Sequence, residues 1–279
     1  MAAAAVTGLA APLTSAQERC PADPALFHPC AVARGAVFDP PRTPDGKASL
    51  QGFWRGPTYA TESIEAHPKT LDDAGGPSLI VDPPDGRIPY QRWAAAQRDE
   101  NKARYIDPNV PCFPSGVPRS LYTPTTIQIL QTRGYVVVLF ERAHTYWIIP
   151  TDARPHIGGN VGLWQGDLRG HWEGSTLVVD VTNLNAKPWF DQAGNFYSER
   201  AHIVARFTRI DPDTIHVQAT IEDPGVYTRP WTMAFPLRRM AERDLELLEE
   251  ACHEGERNTQ PLIDLGYRIY PGVTGKGPH

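Results

Sequence analysis

Residues 201–222 read AHIVARFTRIDPDTIHVQATIE, and apolar and polar residues alternate on both sides of Asp211-Pro212-Asp213. In the first run Ile203, Ala205 and Phe207 share one side, and His202, Val204, Arg206 and Thr208 share the other. The second run sets Ile215, Val217, Ala219 and Ile221 against His216, Gln218, Thr220 and Glu222. A period of two is the mark of a half-buried strand, and Asp-Pro-Asp supplies turn chemistry. The stretch is therefore an antiparallel hairpin with one apolar face.

Outward from this hairpin the same grammar repeats. Segments 126–131 and 135–142 flank Thr132-Arg133-Gly134, and 166–173 and 176–182 flank Gly174-Ser175. Segments 145–150, 231–237 and 245–252 complete about nine strands. In 176–182, Leu177, Val179 and Val181 point to the apolar side, and Val178, Asp180 and Thr182 to the other. Sequential hairpins without alternating helices imply a mostly β antiparallel meander. Closure of about 8–10 strands into a β-barrel removes the exposed edges, and a two-sheet β-sandwich is the alternative. One short helix is expected at about 89–104, where Pro89 suits a first turn and Ala, Gln and Arg follow. The 28 prolines predict long, stiff loops, among them 55–88 and 109–119.

The 279 residues suit a single domain over 50–279, preceded by an irregular arm over 17–49. The opening MAAAAVTGLAAPLTSAQ has the small apolar run and cleavage pattern of a signal peptide over 1–16, although the usual positive start is missing. Export to the periplasm or the extracellular space follows as an expectation. Four cysteines in an exported chain suggest two disulfides, with Cys20–Cys30 and Cys112–Cys252 the favoured pairing. The composition is globular, with 41% hydrophobic and 21% charged residues. A net charge of −5 without a basic run argues against nucleic-acid partners, and no segment is long and apolar enough for membrane insertion.

Gly166-Asp167-Leu168-Arg169-Gly170-His171-Trp172-Glu173-Gly174-Ser175-Thr176-Leu177-Val178-Val179 resembles a G-D-S-x-G-x-W-E-G-D-T-L-V-V motif. That motif belongs to a large family of uncharacterised, mostly exported bacterial proteins. The resemblance extends through Asp152-Ala153-Arg154-Pro155-His156, Glu222-Asp223-Pro224, Thr228-Arg229-Pro230-Trp231 and Ala251-Cys252-His253-Glu254-Gly255, over roughly residues 50–255. Leu168, Ser175 and Ala153 depart from it at turn positions, and it implies no particular activity. Gly52-Phe53-Trp54 resembles the G-x-W at the mouth of lipocalin and calycin barrels, which implies a calycin-like barrel.

Nucleotide loops, dinucleotide fingerprints and the G-x-S-x-G elbow are absent from the sequence. The expected protein is a cofactor-independent enzyme working by acid–base chemistry, as a lyase or hydratase, an isomerase or a hydrolase. An imidazole near neutrality beside a carboxylate is the usual device for proton transfer. The candidates are His144, His156, His202 and His253 with Glu141, Asp167 and Glu222. No recognised metal-ligand spacing joins them, so no metal is assigned. The substrate would be a small apolar or aromatic molecule in a barrel cavity. It would be held by Trp54, Tyr146, Trp164, Trp172, Asn183, Trp189, Phe196 and Trp231. The polar faces of 202–208 and 216–222 have two readings: solvent, or a polar cavity with His202 and Glu222 inside. A non-catalytic periplasmic binder of a hydrophobic ligand is the alternative function. The aromatic loop around Trp189-Phe190 and Phe196-Tyr197 is either a lid on the barrel or a docking patch.

Overall fold

The computed structural model describes residues 19–240 and 245–273; the signal-peptide expectation over 1–16 lies outside them. In chain order the elements are α1 (Pro24–Gly35), β1 (Gly52–Arg55), β2 (Ile80–Asp82), α2 (Arg92–Arg104) and β3 (Tyr105–Ile106). The central strands are β4 (Ile127–Thr132), β5 (Tyr135–Phe140), β6 (Tyr146–Pro150), β7 (Asp167–Glu173) and β8 (Thr176–Thr182). Then come β9 (His202–Asp211), β10 (Thr214–Glu222) and β11 (Trp231–Arg239). The C-terminal part holds α3 (Cys252–Gly255), α4 (Thr259–Asp264) and β12 (Arg268–Ile269), and β12 pairs with β3 in a small second sheet.

Nine strands form a nearly closed antiparallel barrel in the order β6-β5-β4-β1-β11-β10-β9-β8-β7, with β2 added beside β11. The hairpin that opens the sequence argument pairs as its alternation demands, from Ile215 opposite Arg209 to Glu222 opposite His202. With every neighbour antiparallel, an odd strand number leaves the two end strands, β6 and β7, running the same way. No ladder joins them; they close by packing, with Gly170 against Ile149 and Thr151, where a Cβ would stand 2.8 Å from the Ile149 side chain.

The same directions sort the connections. Short turns at 133–134, 174–175 and 212–213 lie at one end. The long segments 56–79, 83–126, 183–201 and 223–230 lie at the other. The barrel interior is filled by the inward side chains. Ile129, Val138, Trp147, Val179, Ile203, Phe207, Val217 and Phe235 belong to one continuous buried cluster. Leu177, Val179 and Val181 join it as their alternation requires.

Three expectations are corrected. The arm over 17–49 is not all irregular: α1 starts at Pro24, with the Asp23 side chain accepting from the Ala25 and Leu26 amides. Phe27 and Ala31 dock α1 on Ile210 of the sheet, and Cys20–Cys30 closes over it. The 89–104 helix begins three residues late. Tyr90 is instead held in a bridge to Tyr227, and its hydroxyl donates to Asn195 Oδ1. Residues 245–252 form no strand. That segment lacks a period of two and is fastened from outside, by Leu248 N–H to Glu141, by Glu250 to Arg142 and by Cys252 to Cys112. His253 and Glu254 therefore sit on the short α3. Both favoured disulfides are present.

Candidate functional site

The site is assembled on the outer face of β7, β8 and β9. Residues opposite one another in an antiparallel ladder present their side chains to the same face. Arg169, Asp180 and Val204 form one such row, and Asp167 opposes Thr182 in the next. His202 begins β9 one row from Asp180, within diagonal reach. The loop 151–166 between β6 and β7 lowers His156 onto this face.

The result is an unbroken chain of short contacts. His156 Nδ1 stands 2.7 Å from Asp167 Oδ2, and its Nε2 2.8 Å from Asp180 Oδ1. His202 Nε2 donates to the other oxygen of Asp180, Oδ2, at 2.7 Å. Arg169 backs the chain, its Nη1 2.6 Å from Asp167 Oδ1 and its Nε donating to the Pro155 carbonyl at 2.9 Å. The Ile157 amide donates to Asp167 Oδ2. Exposure rises along the chain: the Asp167 side chain is 8% exposed and the His202 side chain 41%. The array thus runs from an anchored carboxylate to an imidazole facing solvent.

A carboxylate oxygen only accepts hydrogen bonds. His202 therefore carries its proton on Nε2 toward Asp180, which leaves Nδ1 as its outward nitrogen. Both contacts of His156 are hydrogen bonds when both ring nitrogens carry protons, so a cation then lies between two anions. An imidazole oriented by a carboxylate is the arrangement that general-base catalysis uses. Among the described residues no serine hydroxyl makes a contact within the array, and the cysteines are all in disulfides. Proton transfer is the chemistry these groups support.

Of the seven candidate catalytic residues the structure gathers three, His156, Asp167 and His202. Glu222 lies opposite His202 on β10 and is exposed, so these two do not line a polar cavity, while α1 covers the same face farther along at His216. Glu141 and His144 flank the β5–β6 turn, where Glu141 accepts from the Thr126 and Leu248 amides. His253 is on α3, and the array holds none of these three. His171 bonds Glu173 at the β7–β8 turn, where hydrogen bonds from Arg206 and then His171 hold the Glu173 carboxyl below its ordinary value.

The residues assigned to hold a substrate do not surround a cavity. Trp54, Trp189, Phe196 and Trp231 are fully buried packing groups. Trp172 packs half-buried on the core, and Tyr146 is exposed on β6. Trp164 stacks on Phe113. Asn183 alone meets the site, through the loop that follows His156. The aromatic loop is a lid: Trp189, Phe190, Phe196 and Tyr197 are buried over the long-loop end. Beneath it, burial pushes the Asp191 carboxyl up to about 6 despite hydrogen bonds from the Ile64 amide and Asn195.

The sequence argument did not single out Asp180 and Arg169. Alternation had placed Asp180 on the non-core face, and an acid among valines on such a face was the available signal. No protein-family model, curated protein or solved structure matches this chain.

Proposed function

We propose that the protein is an enzyme that moves a proton to or from a small, largely apolar molecule, with His202 as the base. The continuous Asp167–His156–Asp180–His202 chain carries this reading. Asp180 fixes the His202 tautomer and stabilises the imidazolium that forms when Nδ1 takes a proton. His156, held by Asp167, fixes the second oxygen of Asp180 and acts as a positioning residue. Isomerisation and elimination or its reverse, hydration, need only such a base and a return of the proton. Hydrolysis would use the same base on a water molecule. Ile157 and Val161, both exposed on the adjoining loop, supply apolar surface beside the array. With the barrel packed by its own side chains, the substrate meets the outer face and not the interior. Action outside the cytoplasm is supported by the two disulfides. Among the described residues no helix is long and apolar enough to cross a membrane.

Deuterium exchange tests the reading without a known product. Small apolar ketones, esters and nitriles incubated in D2O with the protein should include some that gain deuterium at the acidic carbon. His202→Gln and Asp180→Asn should abolish that gain. Equal exchange in wild type and both variants would refute the assignment.

A further inference from the structure

The long loops enclose a cleft of about 630 Å3, separate from the histidine array. One wall is the 249–258 segment, tied down by Cys112–Cys252. The two guanidinium groups in it are already neutralised. Arg119 donates two hydrogen bonds to Asp107, at 2.8 and 2.6 Å, and Arg142 meets Glu250 at 2.8 Å.

What stays unmatched is of both kinds. Arg119 is 1% exposed and its Nε–H, a donor, has no partner; Asn109 is 8% exposed and its Oδ1, an acceptor, has none. Both residues line the cleft. At the open side of the cleft the exposed side chains of Gln192, Glu249 and Asn258, which hold no hydrogen bond among the described residues, offer further donors and acceptors to a ligand. Buried polar atoms without partners are uncommon and point to something that satisfies them.

The inventory selects the ligand. An anion brings only acceptors and would face the carboxylates of Glu249 and Glu250. An ammonium group brings only donors and would leave the Arg119 Nε–H without an acceptor. No aromatic side chain lines the cleft to hold a flat apolar ring, and no group of three His, Cys, Asp or Glu among the described residues is arranged for a metal. A hydroxyl both donates and accepts. We propose that this cleft binds a neutral polyhydroxylated molecule of mono- or disaccharide size.

Saturation-transfer NMR on the full chain, with cellobiose, maltose, xylobiose and chitobiose as probes, tests this. At least one should show transfer, and Gln192→Ala and Glu249→Ala should each weaken it by about tenfold, the scale of one lost polar contact. His202→Gln should leave sugar binding unchanged, which separates this site from the proton-transfer proposal. The inference is overturned if none of the four sugars binds. It is equally overturned if spermidine or citrate binds in their place, or if sugar binding survives both cleft variants.

Discussion

Two histidine pairs sit on the outer face of the same barrel, and they are built in opposite ways. His202 and His156 share the carboxylate of Asp180 and lie half open to solvent. On the adjacent strand, His216 is 4% exposed beneath α1, where its Nε2 meets His28 Nδ1 at 3.1 Å and its ring packs on Phe27. In the first pair each ring meets a carboxylate, His156 between Asp167 and Asp180 and His202 on Asp180. In the second, burial and then the neighbouring imidazole drive the His216 pKa down to about 3, and burial lowers His28 as well. Both His202 and His216 belong to the polar stripe of one hairpin. What covers the stripe, a carboxylate network or a helix, decides whether the imidazole is available for proton transfer or locked neutral.

The sharpest way to break this contrast is to remove the shared carboxylate. Asp180→Asn leaves both imidazoles in place but takes away the group that orients them. Turnover or deuterium exchange should fall by about 10²–10⁴-fold, the usual scale for a disabled general base. His28→Gln, on the other pair, should leave the rate unchanged. Matching losses in the two variants would show that neither pair is chemically distinct.

The contrast was half legible in the sequence. The alternation of 202–222 fixes which residues face outward and, with the Asp-Pro-Asp turn, places His202 opposite Glu222. Alternation cannot say what lies over that face. The cover on His216 comes from a helix that Pro29 and the lack of a sustained period concealed, though Asp23-Pro24 was a fair start signal. The partners of His202 arrive from other strands and from a 16-residue loop, at separations that no local pattern encodes. The C-terminal segment misled for a similar reason: its place is set by Arg142, Glu141 and Cys112, far away in the chain. Strict alternation therefore reads true, and of the contacts across loops the paired cysteines Cys112 and Cys252 were legible while the partners of His202 were not.

Acid should separate the two pairs next. Between pH 6.5, the ordinary histidine value, and about 3, the unfolded chain protonates at position 216 while the folded protein resists. The unfolded state then binds about one more proton, so stability drops as pH falls through this window, by roughly 1.4 kcal/mol per pH unit from this group. Its neighbours are the His28 imidazole, which also disfavours a cation there, and the Phe27 ring, over which Arg238 lies. Urea denaturation at a series of pH values should give a shallower acid slope for His216→Gln than for wild type. An unchanged slope would place the acid sensitivity elsewhere.

The smallest expected effect tests what the open pair needs and the covered pair does not: a fixed loop. Asn183 directly follows β8 at φ 58°, a left-handed conformation that few side chains accept. Its Nδ2 donates to the carbonyls of Gly158 and Val161, at 2.9 and 3.1 Å, and its own carbonyl accepts from the Leu163 amide. The loop carrying His156 is thereby clamped to the sheet. Asn183→Ala loses both side-chain bonds and keeps the strained φ, whereas Asn183→Gly loses the bonds but relieves the backbone. Both bonds are exposed to solvent, so the loss for alanine should be about 1–2 kcal/mol, and smaller for glycine. Hydrogen exchange over 157–163 should quicken in both variants while α1 stays protected. If turnover follows the loop equally in both, the hydrogen bonds position His156 and the backbone strain does not. If glycine restores turnover, the φ of residue 183 sets the geometry of the array, and the side-chain clamp is incidental to it.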